Sequence, residues 1–173
     1  MANDTLVVIA NQYDREADAL ADFEELRRLY DKEEIGDTFD AAVLTRKANG
    51  KVDIARRVTG QTRHKAGVGL GSGLAVGAAL ALFPAISLAG ALVAGGTAGA
   101  SAGAVAGHMA AGMSRSDLRD LGEVLDNGTS GLVVVARTNV ETMVEGATTR
   151  AKHRAKAQLQ ADVDAMKKEL ATI

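Results

Sequence analysis

Hydrophobic and polar positions along this chain follow several distinct rhythms. Thr5–Ala10 (TLVVIA) is a continuous apolar, β-branched run, the pattern of a central strand buried on both faces. From Asp14 to Tyr30, Ala17, Leu20, Phe23, Leu26 and Tyr30 recur every three or four positions among acids, which predicts an amphipathic helix lying on a sheet. Ala41–Thr45 and Lys51–Val58 are β-prone runs on either side of Ala48-Asn49-Gly50, and Asn-Gly tolerates the positive φ of a tight hairpin. Ser114-Arg115-Ser116-Asp117 has the form of a capping box. It predicts a helix through Leu118, Leu121 and Leu125 that Asn127-Gly128 ends. Gly131–Arg137 (GLVVVAR) predicts a fourth strand.

Between the hairpin and the capped helix the rhythm changes. Residues 66–114 contain no Asp, Glu, Lys or Arg and hold twelve of the nineteen glycines. Gly69, Gly73 and Gly77 stand four residues apart, and Gly95, Gly99, Gly103 and Gly107 repeat the spacing. Small residues at that interval fall on one helical face and let two backbones approach closely. Pro84, the only proline, separates the two arms, so a helical hairpin with arms at 66–83 and 86–112 is expected. After Asn139, a plausible N-cap, Val140, Val144, Ala147, Ala151, Ala155, Leu159, Val163, Met166 and Leu170 recur every three or four residues. The pattern reads as a long amphipathic helix with an Ala-rich face, packing straight or right-handed.

Without residues 62–113 the element order is strand, helix, strand, strand, helix, strand, the split βαβ order of a ferredoxin-like sandwich. The expected class is therefore α+β, with the helices covering one face of a four-stranded antiparallel sheet. Residues 1–61 and 114–138 form this discontinuous domain, 62–113 the glycine-zipper hairpin, and 139–173 the C-terminal helix.

Charge sets these regions further apart. The net charge of −2 conceals −8 over residues 1–40, +6 over 41–65 and zero over 115–173. A pI of 5.9, three Phe, two Tyr and no Trp argue against nucleic acid as a partner. The absence of Cys excludes disulfides, thiolate metal sites and thiol nucleophiles, and suits a reducing cytoplasm. The first ten residues lack the positive n-region of an export signal. Arg56, Arg57, Arg63 and Lys65 precede the apolar insertion, and Arg115 and Arg119 follow it. Such flanks would hold both ends of an inserted hairpin, and both termini, on the cytoplasmic side of the inner membrane. Arg150, Lys152, Arg154 and Lys156 form a second basic patch, suited to anionic lipid, to the acidic helix of a neighbour or to another protein.

The succession of TLVVIA, acidic helix, AAVLTRKANGKVDIARRV, GVGLGSGLAVG, second glycine arm, capped helix and GLVVVAR resembles a bacterial family. That family is domain of unknown function 1269, often labelled a predicted membrane protein. The resemblance covers Thr5 to Arg137, and the C-terminal helix departs from the usual ending. It implies a ferredoxin-like fold carrying a glycine-zipper insertion, and it supplies no catalytic residues.

Catalytic chemistry finds little footing. Gly71-Ser72-Gly73 with Gly77 misses the G-x-G-x-x-G spacing, and no Walker loop follows. His64, His108 and His153 lack ligand-spaced companions, so no metal or cofactor is expected. His108 reads as a histidine at a helix end. Glu24-Glu25 and Glu33-Glu34 do not face one another on a helix, and Glu24 is positioned for Arg28. Ser101, Thr129 and Ser130 have no adjacent base. The sequence thus predicts a non-enzymatic protein that homo-oligomerises through its glycine arms. An arm of ~18 residues spans ~27 Å as a helix, close to the ~30 Å hydrocarbon core, so membrane association, with a pore as a sub-case, is the leading expectation. A soluble particle with an apolar interior for lipid or other hydrophobic cargo is the alternative, because Gly and Ala gain little in lipid. A small-ligand sensor on the open sheet face is a third.

Overall fold

In a computed structural model, the residues described are 4–32, 39–46, 52–58, 111–126 and 130–161. They form an α+β arrangement in which β1 (Asp4–Tyr13), β2 (Phe39–Arg46), β3 (Val52–Val58), β4 (Ser130–Arg137) and β5 (His153–Ala161) make one antiparallel sheet, ordered β3-β2-β4-β1-β5. The apolar run predicts its own position. β1 lies between β4 and β5, and Leu6 to Ala10 are all buried, because a strand covered on both faces has no polar side. β2 and β3, which flank Asn49-Gly50 in sequence, pair antiparallel, with a bulge where the register shifts between Val43 and Leu44.

The two faces of the sheet carry different helices. α1 (Glu16–Lys32) and the short α3 (Glu141–Ala147) cover one face. There Ala19, Phe23, Leu26, Val140 and Val144 pack on Val7, Ile9, Ala41, Val43, Leu132 and Val134. The buried stripe of α1 is rotated from the expected one: Ala17 is exposed, while Ala19 and Asp22 are buried. α2 (Arg115–Asp126) packs on β1 and β5, with Leu121 buried. Its N-terminus is capped as predicted, Ser114 Oγ accepting from the Asp117 amide at 3.1 Å. Just before it, a Cβ on Gly112 would collide with the Gln160 carbonyl and the Leu159 side chain, so a glycine permits this close approach to β5. Leu159 stands opposite Leu6, on the face away from Val7 and Ile9. Helices therefore lie on both faces, which corrects the expectation of one covered face.

The C-terminal segment is the larger correction. In place of a helix through residues 139–173, the chain makes a 3₁₀ turn at Thr138–Val140, α3 for seven residues, and then β5. The sheet accordingly has five strands, not four. Asn139 lies within the 3₁₀ turn and caps nothing. Ala155, Ala157 and Leu159 are turned toward the α2 side and alternate with exposed Arg154, Lys156, Gln158 and Gln160, a period of two. Ala is compatible with either period, and here the unpaired edge of β1 wins. Residues 162–173 and, apart from residues 111 and 112, the glycine arms lie outside the described residues.

Candidate functional site

Polar side chains gather at the end of the sheet where β1 finishes and β4 and β5 begin. Asp22 lies in the inward stripe of α1 and is fully buried. Its Oδ2 accepts from Tyr13 Oη at 2.8 Å and from the Arg150 amide at 3.0 Å, and its Oδ1 accepts from Arg150 Nη1 at 2.7 Å. An acid in this position is tolerable because three donors replace the water it loses. Burial raises the Tyr13 phenol well above its ordinary range, and the charge and hydrogen bond of Asp22 push it further; Arg154 and Arg150 pull the other way. The Asp22 hydrogen bond and charge in turn raise the Arg150 guanidinium.

Arg154 closes a second ring beside the first. Its Nε donates to Asn11 Oδ1 at 2.8 Å, and Nη2 donates to the Thr148 carbonyl at 2.6 Å and hydroxyl at 2.7 Å. Asn11 stands directly opposite Arg154 on β1 and donates to the Leu132 carbonyl. Thr148 is buried, and its hydroxyl donates to the Val144 carbonyl, closing α3 where helical period gives way to strand. Lys152 meets Asp14 at 3.1 Å. Lys156 meets Glu141 at 2.6 Å and Glu145 at 2.9 Å, and these hydrogen bonds raise its ammonium above the usual range.

The residues of the predicted C-terminal basic patch are thus brought together and remain exposed: Arg150, Lys152, Arg154 and Lys156 all engage groups of their own chain. Of the four, Arg150 reaches the chain's own acidic helix α1, through Asp22. Among the other predicted residues, Arg56 and Arg57 stand in β3 opposite Val43 and Ala42. Arg115 and Arg119 are exposed on α2, where Arg119 approaches Glu123 at 3.9 Å. Gly69, Gly73, Gly77, Gly95, Gly99, Gly103, Gly107, Arg63, Lys65, His64 and His108 lie outside the described residues. On α1, Glu24 pairs with Arg27 at 3.7 Å and Glu25 with Arg28 at 2.7 Å, one residue closer in sequence than the expected Glu24–Arg28 spacing.

Sequence reading missed Asp22 and Tyr13. The signal was available in one respect: Asp22 falls between Ala19 and Phe23/Leu26, inside an apolar stripe. Its partner lies 128 residues away, beyond any local pattern. Chemically the network fixes the β1–α1 corner to the start of β5, and its donors and acceptors are engaged with one another. Two neighbouring hydroxyls are different. Thr45 Oγ1 and Ser130 Oγ, opposite each other on β2 and β4, are buried without hydrogen-bond partners among the described residues. Among the described residues no group of three His, Cys, Asp or Glu is placed to hold a metal ion, and no helix is long and apolar enough to cross a membrane.

No curated protein and no solved structure matches the chain. Residues 66–171 match the family described as Protein of unknown function (DUF1269), from the first glycine arm through β5. The C-terminal segment, expected to depart from the family, lies inside the matched region. With that match spanning more than half of its length, the chain belongs to the DUF1269 family.

Proposed function

We propose that this is a non-enzymatic, self-assembling protein in which a ferredoxin-like domain presents a glycine-zipper hairpin from one end of its sheet, for assembly in or on a membrane. The order β2-β4-β1-β5, with α1 between β1 and β2 and α3 between β4 and β5, supports the ferredoxin-like reading. In this assignment β3, the glycine arms and α2 are together an insertion between the second and third strands of the motif.

The observation that carries the proposal is the placement of the two junctions. β3 runs toward the end of the sheet where β1 starts, since Val58 lies opposite Ala41 and Val52 opposite Arg46. The chain returns at Gly112, against Leu159 and Gln160, at that same end. The insertion therefore leaves and rejoins the domain at one end, while the Asp22 network occupies the other. An uncharged segment of nearly fifty residues would exceed the apolar patch of a few hundred Å² that a soluble monomer tolerates, so it needs lipid or copies of itself.

Replacing Gly99 by Leu in the full chain tests this. Close helix packing at the zipper predicts a smaller assembly in sedimentation velocity, with the sheet signature in far-UV circular dichroism retained. An unchanged assembly size would refute it. Carbonate-washed membranes decide the setting: retention supports insertion, whereas a discrete particle in the soluble fraction transfers the same zipper to a cargo-holding shell.

A further inference from the structure

We propose that the first glycine arm, residues 66–83, docks on its own sheet, lying beside α2 across β4 and β2. The observation behind this is burial that the described helices do not supply. On the side of the sheet away from α1, Ala42 and Leu44 of β2 stand opposite Val133 and Gly131 of β4, and Val135 stands opposite Val8 of β1. Ala42, Leu44, Val133 and Val135 are all buried, three of them completely. Yet α2 packs along β1 and β5, and α1 and α3 lie on the other face. Among the described residues, then, no helix lies along β2 and β4 on this side, and the side chains there are nevertheless covered.

Dimensions and connections select the occupant. A helix is about 10 Å across and strands are ~4.8 Å apart, so one helix covers two strands. With β1 and β5 under α2, β4 and β2 leave room for one more. Each of these two strands has eight residues, ~27 Å, which matches the ~27 Å of an 18-residue helical arm. The insertion also has its two ends on opposite sides of this face. β3, next to β2, ends at Val58, and the chain returns at Gly112 against β5, the far edge of the sheet. The first arm follows β3 by way of residues 59–65, so it enters over the half that α2 leaves, whereas the second arm leads into α2. Chemistry agrees with the path. Residues 66–83 carry no Asp, Glu, Lys or Arg, as an apolar strand face requires. Asp40, buried on the same side and one residue from the level where β3 ends, suits the cations that lead into the arm, Arg63 and Lys65. By contrast, residues 162–173 leave from β5, on the other side of α2 from β2, and include five charged residues. Segments 33–38, 47–51 and 127–129 are too short to run along an eight-residue strand and rejoin the chain. The proposal does not rest on the zipper. It divides the insertion: with the first arm seated on the sheet, Gly95, Gly99, Gly103 and Gly107 of the second are left to meet lipid or another copy.

The chain has no Cys, so a pair of introduced thiols reports on one contact. In the full chain, A42C is combined with a single Cys at each of positions 70–81 in turn and oxidised mildly. A docked helix should give a disulfide at positions three or four apart and lose it at those between. At about 10 μM protein, a thiol of the same chain at an effective concentration of the order of mM outcompetes a second chain by about a hundredfold, so the product should run as a monomer on a non-reducing gel. V43C, one residue along β2 and facing α1, should give none of these disulfides. If A42C does not fold, V133C and its neighbour V134C make the same comparison. Equal yields from A42C and V43C, no disulfide anywhere in 70–81, a disulfide dimer in place of the monomer, or crosslinking of A42C to positions 95–106 or 163–170 instead would each overturn the proposal. Repeating the scan with Gly99→Leu separates the two readings. Failure of the zipper leaves the A42C disulfides in place, and failure of the docking leaves any effect of Gly99→Leu on assembly size in place. Loss of the disulfides in the Gly99→Leu chain would overturn docking within a single chain.

Discussion

Two ion pairs on α1 have the same length and different surroundings. Arg150 Nη1 and Asp22 Oδ1 are 2.7 Å apart, as are Arg28 Nη1 and Glu25 Oε1. In the first, the Asp22 side chain is fully buried and its partner comes from the turn before β5. In the second, the side chains are 43% and 67% exposed and lie three residues apart on one helix. Distance is therefore not what separates them. Water can replace either member of the exposed pair, whereas among the described residues Asp22 has only Tyr13 and Arg150 to replace the water it lost. Replacing Asp22 by Ala should consequently produce the largest effect. It leaves the buried Tyr13 hydroxyl without this acceptor and releases the Arg150 amide and guanidinium, at an expected cost of about 3–5 kcal/mol in urea unfolding. Asp22→Asn, which keeps the volume and one acceptor oxygen, should cost less. A loss for Asp22→Ala no larger than that of an exposed acid would erase the difference between the two pairs.

The phenol gives a second measure of what burial contributes. Tyr13→Phe removes one donor to a buried carboxylate and should cost about 1.5–3 kcal/mol at neutral pH. The deficit should depend on pH in a defined direction. The folded phenol is raised above the unfolded value of about 10, so its contribution is intact below that pH and declines as pH rises toward the folded value. Above pH ~10 the unfolded chain ionises Tyr13 while the folded chain resists. The difference between parent and Tyr13→Phe should therefore shrink there. Urea midpoints of both proteins from about pH 7 to about pH 11 measure this, and a deficit independent of pH would remove the Tyr13 hydroxyl from the buried network.

The same contrast between local and distant partners explains how far the sequence was legible. β1 was readable because burial on both faces leaves an unbroken run from Leu6 to Ala10. The start of α2 was readable because Ser114 and Asp117 are three residues apart and cap the helix by themselves. Val144 lies on a buried helical face, with Val140 buried in the 3₁₀ turn before it, but the α-helix lasts for seven residues only. No Gly or Pro between Thr148 and Lys152 announces the end of that helix. The stop is instead a hydroxyl: Thr148 bonds back to the Val144 and Glu145 carbonyls and is clasped by Arg154 from the next strand. The alternation in HRAKAQLQA was visible, yet spacing averaged over some thirty residues hid it. Asp22 shows the other limit. Periodicity puts it on the inward face, and only tertiary structure supplies Arg150.

The smallest prediction bears on the exposed pair. Glu25→Ala removes a 2.7 Å ion pair whose members remain largely hydrated, and it substitutes a better helix former at a half-exposed site. The Coulomb gain of such a pair is modest in high dielectric and is offset by the side-chain entropy needed to hold it, so the net change should stay within about 0.5 kcal/mol. Raising the salt from about 0.1 to about 1 M shortens the screening length from ~10 Å to ~3 Å, which should shrink even that difference toward zero. The Asp22→Ala deficit should survive the same change, because solvent ions do not reach a carboxylate sealed under α1. Equal salt sensitivity in the two variants would mean that Asp22 is reached by solvent in solution, and the difference between the pairs would then be one of sequence separation alone.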